Sequence, residues 1–352
     1  MIVPGIRNLL KTFSVRRTAA PGNAIAVAEP TPLLRPVGFN DFINLDIPPR
    51  EMLLAPILPE RSLAMLYAPR GQGKTQLGLS AGLATASGAE ILRWSAPRPR
   101  RVLYIDGEMP VVALQERIRS IALGIGREIP NENFKILAAD NVDGGINLGT
   151  EEGQRSIEPL LDGVDLLILD NLSTLCPTRS ESASDAWTPI QEWLLRLRRR
   201  GISVLFIHHA GNNGRQRGTS RREDALDTVI ALRRPGDYSP EQGARFEVHF
   251  EKVRNRIDPA ASVPFEASLE SFDANGQQGL RWSCRDLAPA LLQQAADLFD
   301  GGMTVRQVAT ALQISKSEAG RLRLKAVNGD IIALADGAGT VRVRGKDTVS
   351  AD

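Results

Sequence analysis

Ala68-Pro-Arg-Gly-Gln-Gly-Lys-Thr75 stands between an apolar run, Leu63–Ala68, and a stretch with helical periodicity that extends from Thr75 to Ser87. A glycine-rich turn that leaves a strand and opens a helix aims successive backbone N–H groups into one concavity. The helix N-terminus adds the positive end of its dipole. Such a cradle suits phosphate oxygens, and the strand–loop–helix setting is the one a Walker A loop requires. The lysine closing it neutralises β- and γ-phosphates, and the hydroxyl beside it ligates Mg²⁺. Nucleotide contacts are therefore assigned to Ala68, Pro69, Arg70, Gly71, Gln72, Gly73, Lys74, Thr75 and Gln76. The usual pattern starts with glycine. Ala68 departs from it at a position where many loops leave room for a methyl. ATP and Mg²⁺ are the expected cofactors.

Outward from this loop, short and nearly continuous apolar runs alternate with helical stretches. The runs start at Leu63, Arg101, Phe134, Val164 and Ile202, with helices between them near Thr75–Ser87, Pro110–Leu123 and Asp185–Arg200. Runs of this kind suit strands buried on both faces of a parallel sheet. The run VDLLILDN ends in Asp170, the expected Walker B carboxylate, paired with Thr75 at the metal. YIDGEMP places Glu108 at the end of a strand expected to lie beside the phosphate-loop strand, where a carboxylate can deprotonate the attacking water. Asp106 is its rival. Glu108 is preferred because it lies further out at the carboxyl end, where ligands bind in open α/β sheets. ISVLFIHH closes on His208 and His209. Adjacent strand residues face opposite ways, so one of them is expected at the γ-phosphate. His209 is preferred, with His208 packed or bonded structurally.

The remaining features bound the organisation. Residues 1–36 lack periodicity, and the first 28 hold Arg7, Lys11, Arg16 and Arg17 without an acid. They read as a flexible basic arm, although a transit peptide shares that composition. TVIALRR, ARFEVHFEKVR, VPFEASLE and GLRWSCR follow the core as further strands, with DANG as a hairpin turn. The pattern turns helical near Pro289, giving expected boundaries of 1–36, 37–288 and 289–352. Two cysteines rule out a disulfide framework and suit a cytoplasmic protein, and no apolar run approaches the ~20 residues that span a bilayer.

Together these residues resemble the RecA-like superfamily and, within it, hexameric replicative helicases, nearest the RepA-type plasmid helicases. The resemblance runs from about Pro48 to Trp282 and rests on LYAPRGQGKT, LYIDGEMP, LLILDN and FIHHAGNNGRQRGTSRREDALDTVIALRRP. It implies Glu108 as catalytic base and His209 as γ-phosphate sensor, in agreement with the reading above. It also implies that Lys252, Arg254 and Asn255 of FEKVRNR reach the ATP site of a neighbouring subunit, so that Lys74, Glu108, His209, Lys252 and Arg254 form the catalytic set. The polar loop after the sensor strand would line a channel, with Arg215, Arg217, Arg221 and Arg222 on single-stranded DNA phosphates. The loop has no aromatic residue, which favours backbone tracking over base stacking.

The C-terminal stretch has a signal of its own. Thr304 caps a short helix with the apolar stripe Val305, Val308, Ala309 and Leu312, and Ser315 caps a second helix over Lys316–Ala326. This resembles a DNA-binding helix–turn–helix with Lys316, Arg321 and Arg323 towards double-stranded DNA, and DIIALA and TVRVRG could form a wing. Protein docking is the other use of such a module. The reading adopted is a RecA-like P-loop NTPase core with a mainly parallel sheet and a small C-terminal helix–turn–helix domain. Its expected function is that of a ring-forming, hexameric ATP-dependent DNA helicase without membrane contact. The alternative is a DNA-binding regulatory or recombination-accessory ATPase that assembles with ATP and unwinds nothing.

Overall fold

The computed structural model describes residues 36–177, 187–210, 224–254 and 259–327. Met1–Pro49 is a unit of its own, in which helix α1 (Phe39–Ile43) is the only regular element among the described residues. The second unit, from Arg50 onward, holds everything that follows.

Its strands sort by burial. β1 (Met52–Leu54) pairs with β2 (Leu58–Pro59) in a small ribbon, and β4 (Glu90–Ile91) pairs with β5 (Trp94–Ser95) in another. Neither is legible as a strand run. The central sheet contains β3 (Leu63–Ala68), β6 (Val102–Asp106), β7 (Phe134–Ala138), β8 (Leu166–Asp170), β9 (Ser203–His209) and β10 (Thr228–Arg233), all parallel. β11 (Arg245–Val253), β12 (Phe265–Ala274) and β13 (Gln277–Asp286) extend one side antiparallel. The spatial order among the described residues is β13-β12-β11-β10-β3-β9-β8-β6-β7.

Period-two alternation divides the strand residues between two cores. Ala64, Leu66, Val102, Tyr104, Leu166, Ile168, Leu205 and Ile207 enter one. Leu63, Met65, Leu103, Ile105, Leu167, Leu169, Val204 and Phe206 enter the other. Both faces are covered, and this is why the runs read as continuously apolar. Helices α2 (Lys74–Ser87) and α3 (Val111–Ile125) cover the first face. Helices α4 (Glu151–Ile157), α5 (Leu172–Leu175) and α6 (Thr188–Arg199) cover the second.

The antiparallel strands do more than widen the sheet. Ala274 pairs with Gln277 across Asn275-Gly276, whose φ values of 54° and 84° are those of the tight hairpin that Asn-Gly favours. β13 then folds onto the helix layer. Trp282 Nε1 donates to Ser80 Oγ of α2 at 2.8 Å, and a Cβ built on Gly124 of α3 would lie 1.7 Å from the Leu280 carbonyl oxygen. α2 is thereby buried nearly all round.

The order of strands corrects one expectation. β6 does not lie beside β3, because β9 and β8 intervene. Glu108 still belongs to the phosphate loop's edge, since all these strands run parallel and end together, with Ala68 opposite His209 and Asp106 opposite Asp170. The Asp170–Asn171 peptide is cis.

Helices α7 (Ala288–Asp300), α8 (Val305–Ala311) and α9 (Lys316–Val327) surround a small core of Ala295, Val308, Ala309, Ala319 and Leu322. Thr304 and Gln307 form a capping box at the start of α8. Gln313 turns the chain with φ 53°, and Ser315 Oγ accepts the Glu318 N–H at the start of α9. The caps are the ones the sequence indicates. The segment read as a wing lies outside the described residues. No helix among the described residues is long and apolar enough to cross a membrane.

Candidate nucleotide site at the carboxyl edge of the sheet

The phosphate loop leaves β3 and enters α2 through Gly71 and Gly73, with φ 70° and 89°. Gly73 could not be another residue on either count. Its φ is left-handed, and an added Cβ would meet the Ala244 methyl at 2.8 Å and the Phe246 ring at 3.0 Å. Lys74 is buried, with Nζ donating to the Ala68 carbonyl at 3.1 Å and the Pro69 carbonyl at 2.7 Å. Burial pulls its pKa down to about 8, opposed by the charges of Asp170 and Glu108 and assisted by Arg70. The loss of hydration outweighs the two carboxylates, so the ammonium gains from the further negative charge of phosphate oxygens. Gln72 points the same way: its side chain is buried, and neither amide atom has a partner among the described residues.

Asp170 ends β8 almost fully enclosed. Burial raises its pKa to about 6, against hydrogen bonds from the hydroxyls of Tyr104 and Thr75. The Tyr104 bond to Oδ2 measures 2.7 Å, and burial together with Asp170 keeps that phenol protonated. Thr75 and Asp170 thus present a hydroxyl and a carboxylate side by side, a hard oxygen pair of the kind Mg²⁺ takes in P-loop sites. The donor set fits the metal. Mg²⁺ would neutralise the phosphates, and these two residues would hold it.

Asp106 and Glu108 separate cleanly. Asp106 is buried, and its Oδ1 accepts the N–H groups of Glu108 at 3.0 Å and Met109 at 2.7 Å. Burial raises its pKa, with those two amides acting in the opposite sense. It therefore shapes the turn that carries Glu108 outward, and Glu108 keeps a half-exposed carboxylate. His209 Nε2 stands 3.9 Å from Glu108 Oε1. His208 lies on the opposite face, paired with Tyr67. Between Glu108 and His209 is Asn171, whose Nδ2 is 2.6 Å from Glu108 Oε2 and 3.2 Å from His209 Nε2. Asn171 and Tyr104 are the two site residues the sequence reading missed, although both sit inside the stretches it singled out.

The fold brings together Lys74, Thr75, Glu108, Asp170 and His209. A match to a family model described as AAA domain spans residues 28–215, more than half of the 352-residue chain. The chain belongs to this AAA_25 family. Its core is therefore that of a P-loop ATPase with nucleotide-hydrolysing machinery. Among solved structures, the flagellar accessory protein FlaH from Methanocaldococcus jannaschii matches with a TM-score of 0.44 and 10% identity, over 64% of this chain and 90% of that one.

Other expected site residues lie elsewhere, most of them beyond the matched residues 28–215. Val253 pairs with Thr228, which pairs with Ala64, so Lys252 and Arg254 lie at the amino-terminal edge of the parallel sheet. That is about 13 Å along the strand direction from the end of β3, taking ~3.3 Å per residue. Arg254 is exposed, and its Nη2 donates to the Asp224 carbonyl at 2.6 Å. These two cations do not enter their own chain's phosphate loop. Lys316, Arg321 and Arg323 are exposed on α9, where Arg323 also lies over the Phe299 ring at 5.7 Å. Asn255, Arg215, Arg217, Arg221 and Arg222 lie outside the described residues.

Proposed function

We propose that this AAA-family ATPase is a ring-forming DNA motor resembling RepA-type replicative helicases, with each ATP site completed by a neighbouring subunit. The observation carrying this reading is the placement of Lys252 and Arg254 on the edge opposite their own phosphate loop. A guanidinium there cannot serve its own site, but in a head-to-tail ring it faces the next subunit's carboxyl edge, which supports a role in trans. Lys74 would neutralise the phosphates, Thr75 and Asp170 would hold Mg²⁺, and Glu108 would take the proton of the attacking water. His209 would contact the γ-phosphate and register its loss. Arg215, Arg217, Arg221 and Arg222 would track single-stranded DNA in the channel of a hexamer, in the cytoplasm.

A second reading draws on α8 and α9, where Lys316, Arg321 and Arg323 are exposed on one helix behind a capped turn. Such a module suits double-stranded DNA and favours a regulatory or recombination-accessory ATPase that assembles on ATP without unwinding. One experiment separates the two. ATPase rate is measured with and without single-stranded DNA, together with strand displacement on a forked duplex. The motor stimulates and unwinds, whereas the regulator binds duplex DNA and displaces nothing. An ATPase rate unchanged by any nucleic acid, with no binding to any, would remove both.

A further inference from the structure

Asn171 occupies a place that the roles above do not use. It is 1% exposed, and its side-chain oxygen accepts the N–H groups of Ser173 at 2.9 Å and Thr174 at 3.3 Å. Those bonds cap α5 and settle which end of the amide is oxygen. The nitrogen end must then face Glu108 Oε2 at 2.6 Å and His209 Nε2 at 3.2 Å. An amide nitrogen has two hydrogens and accepts nothing. One hydrogen goes to the carboxylate and the other to the imidazole, so Nε2 is the acceptor and the ring proton of His209 resides on Nδ1.

We propose that Asn171 is a positioning residue that couples the base Glu108 to the γ-phosphate contact His209 through this one amide. The proposal rests on the roles given to Glu108 and His209 above. Its content is a mutual exclusion. Nε2 cannot accept from Asn171 and donate to a phosphate oxygen at the same time. When His209 donates from Nε2, it must take up a proton there from solvent and let go of the amide, while Glu108 keeps its own hydrogen bond to Asn171. The ring then either keeps its Nδ1 proton as imidazolium or releases it as the other tautomer. With the γ-phosphate gone, Nε2 returns to accepting from Asn171, and base and sensor are held as one unit. Nucleotide state thereby decides whether His209 is tied to Glu108 through a single side chain whose position the α5 cap fixes.

Asn171→Ser tests this in the full-length protein, because serine keeps a capping oxygen and loses both amide hydrogens, its shorter hydroxyl being taken up by the cap. Nucleotide affinity should stay within about twofold of wild type. kcat should fall by about tenfold to a hundredfold, the range that mispositioning of a catalytic group produces. Long-range proton–nitrogen spectra of the histidine rings supply a readout that a merely structural residue would not move. Wild-type His209, identified by its loss in His209→Gln, should show the Nδ1–H form, and Asn171→Ser should populate Nε2–H. Should the serine variant not fold, Asn171→Asp keeps the capping oxygen and puts an acceptor where the amide hydrogens were. The fall in kcat and the loss of the His209 Nδ1–H form are expected there too, whatever its added charge does to nucleotide affinity. Wild-type kcat in the variant, or a fall in kcat with the His209 signals unmoved, overturns the coupling. Glu108→Gln keeps the two levels apart. If it turns over at the wild-type rate, the reading of Glu108 fails. If it is inactive while Asn171→Ser is fully active, only the coupling fails.

Discussion

Lys74 and Asp170 are pulled from their ordinary ionisation in opposite directions relative to what they must do. Burial lowers the ammonium to about 8 and raises the carboxylate to about 6. Phosphate needs the lysine charged, and Mg²⁺ needs the aspartate charged, so both conditions are met only between roughly those two values. Below about 6 a proton competes with the metal for Asp170. Above about 8 Lys74 must take up a proton on binding, so the dissociation constant of Mg-nucleotide should rise up to tenfold per pH unit until the bound lysine's own pKa is reached. The expected result is a bell-shaped affinity profile, measured by calorimetric titration from pH 5 to pH 9.5. Lys74→Ala should bind weakly and lack the alkaline limb, and Asp170→Asn should lack the acid limb that remains after the nucleotide's own titration is subtracted. A wild-type profile flat between pH 8 and 9.5 would contradict the assignment of Lys74. This lysine and Thr75 are legible because their chemistry is written in contiguous residues, and Asp170 because it closes an apolar strand run of its own. Tyr104 and Asn171 are not, since each acts on a partner more than 60 residues away, through strand register.

Elements show the same division between local and non-local information. The parallel strands were readable one by one because burial on both faces leaves each a nearly unbroken apolar run, and the Asn275-Gly276 turn announced its hairpin. Their order was not, because a strand's composition says that it has neighbours without saying which. β6 is expected against β3 and stands with two strands, β9 and β8, between them, yet Glu108 still reaches the site because parallel strands end on a common edge. The packing of β13 on α3 was equally hidden. Gly124 looks like an indifferent residue in a helical pattern, but it is the point where α3 touches the Leu280 backbone. Gly124→Ala would place a methyl against a carbonyl that cannot turn aside as a side chain can. The expected cost is about 2–3 kcal/mol, at the upper end for overpacking and well above the gain in helix propensity. Chemical denaturation should show it as a lower midpoint at unchanged slope. A variant as stable as wild type would mean that α3 and the hairpin separate more easily than this contact implies.

At the scale of the molecule, the question is whether one chain contains a complete site. Five of the expected catalytic and metal residues converge on the carboxyl edge, whereas Lys252 and Arg254 are carried to the amino edge by the antiparallel return of β11. On the proposed reading, these two different edges of one protomer would meet in a heterologous contact of the kind that closes rings. Arg254 now donates to the Asp224 carbonyl of its own chain, a bond to a backbone oxygen at the surface that a neighbouring phosphate could replace. Arg254→Ala should therefore bind nucleotide almost as wild type and lose turnover, while Lys74→Ala should lose both. The decisive measurement is their mixture. In a ring with shared sites, an Arg254→Ala subunit supplies an intact phosphate loop and a Lys74→Ala neighbour supplies an intact arginine. Equal mixing should then restore ATPase activity towards about a quarter of wild type, the share of interfaces at which two intact edges meet at random. If each chain used its own arginine, both loops' sites would stay broken and the mixture would be as inactive as its parts. Recovery that rises with protein concentration would show, in addition, that assembly limits hydrolysis.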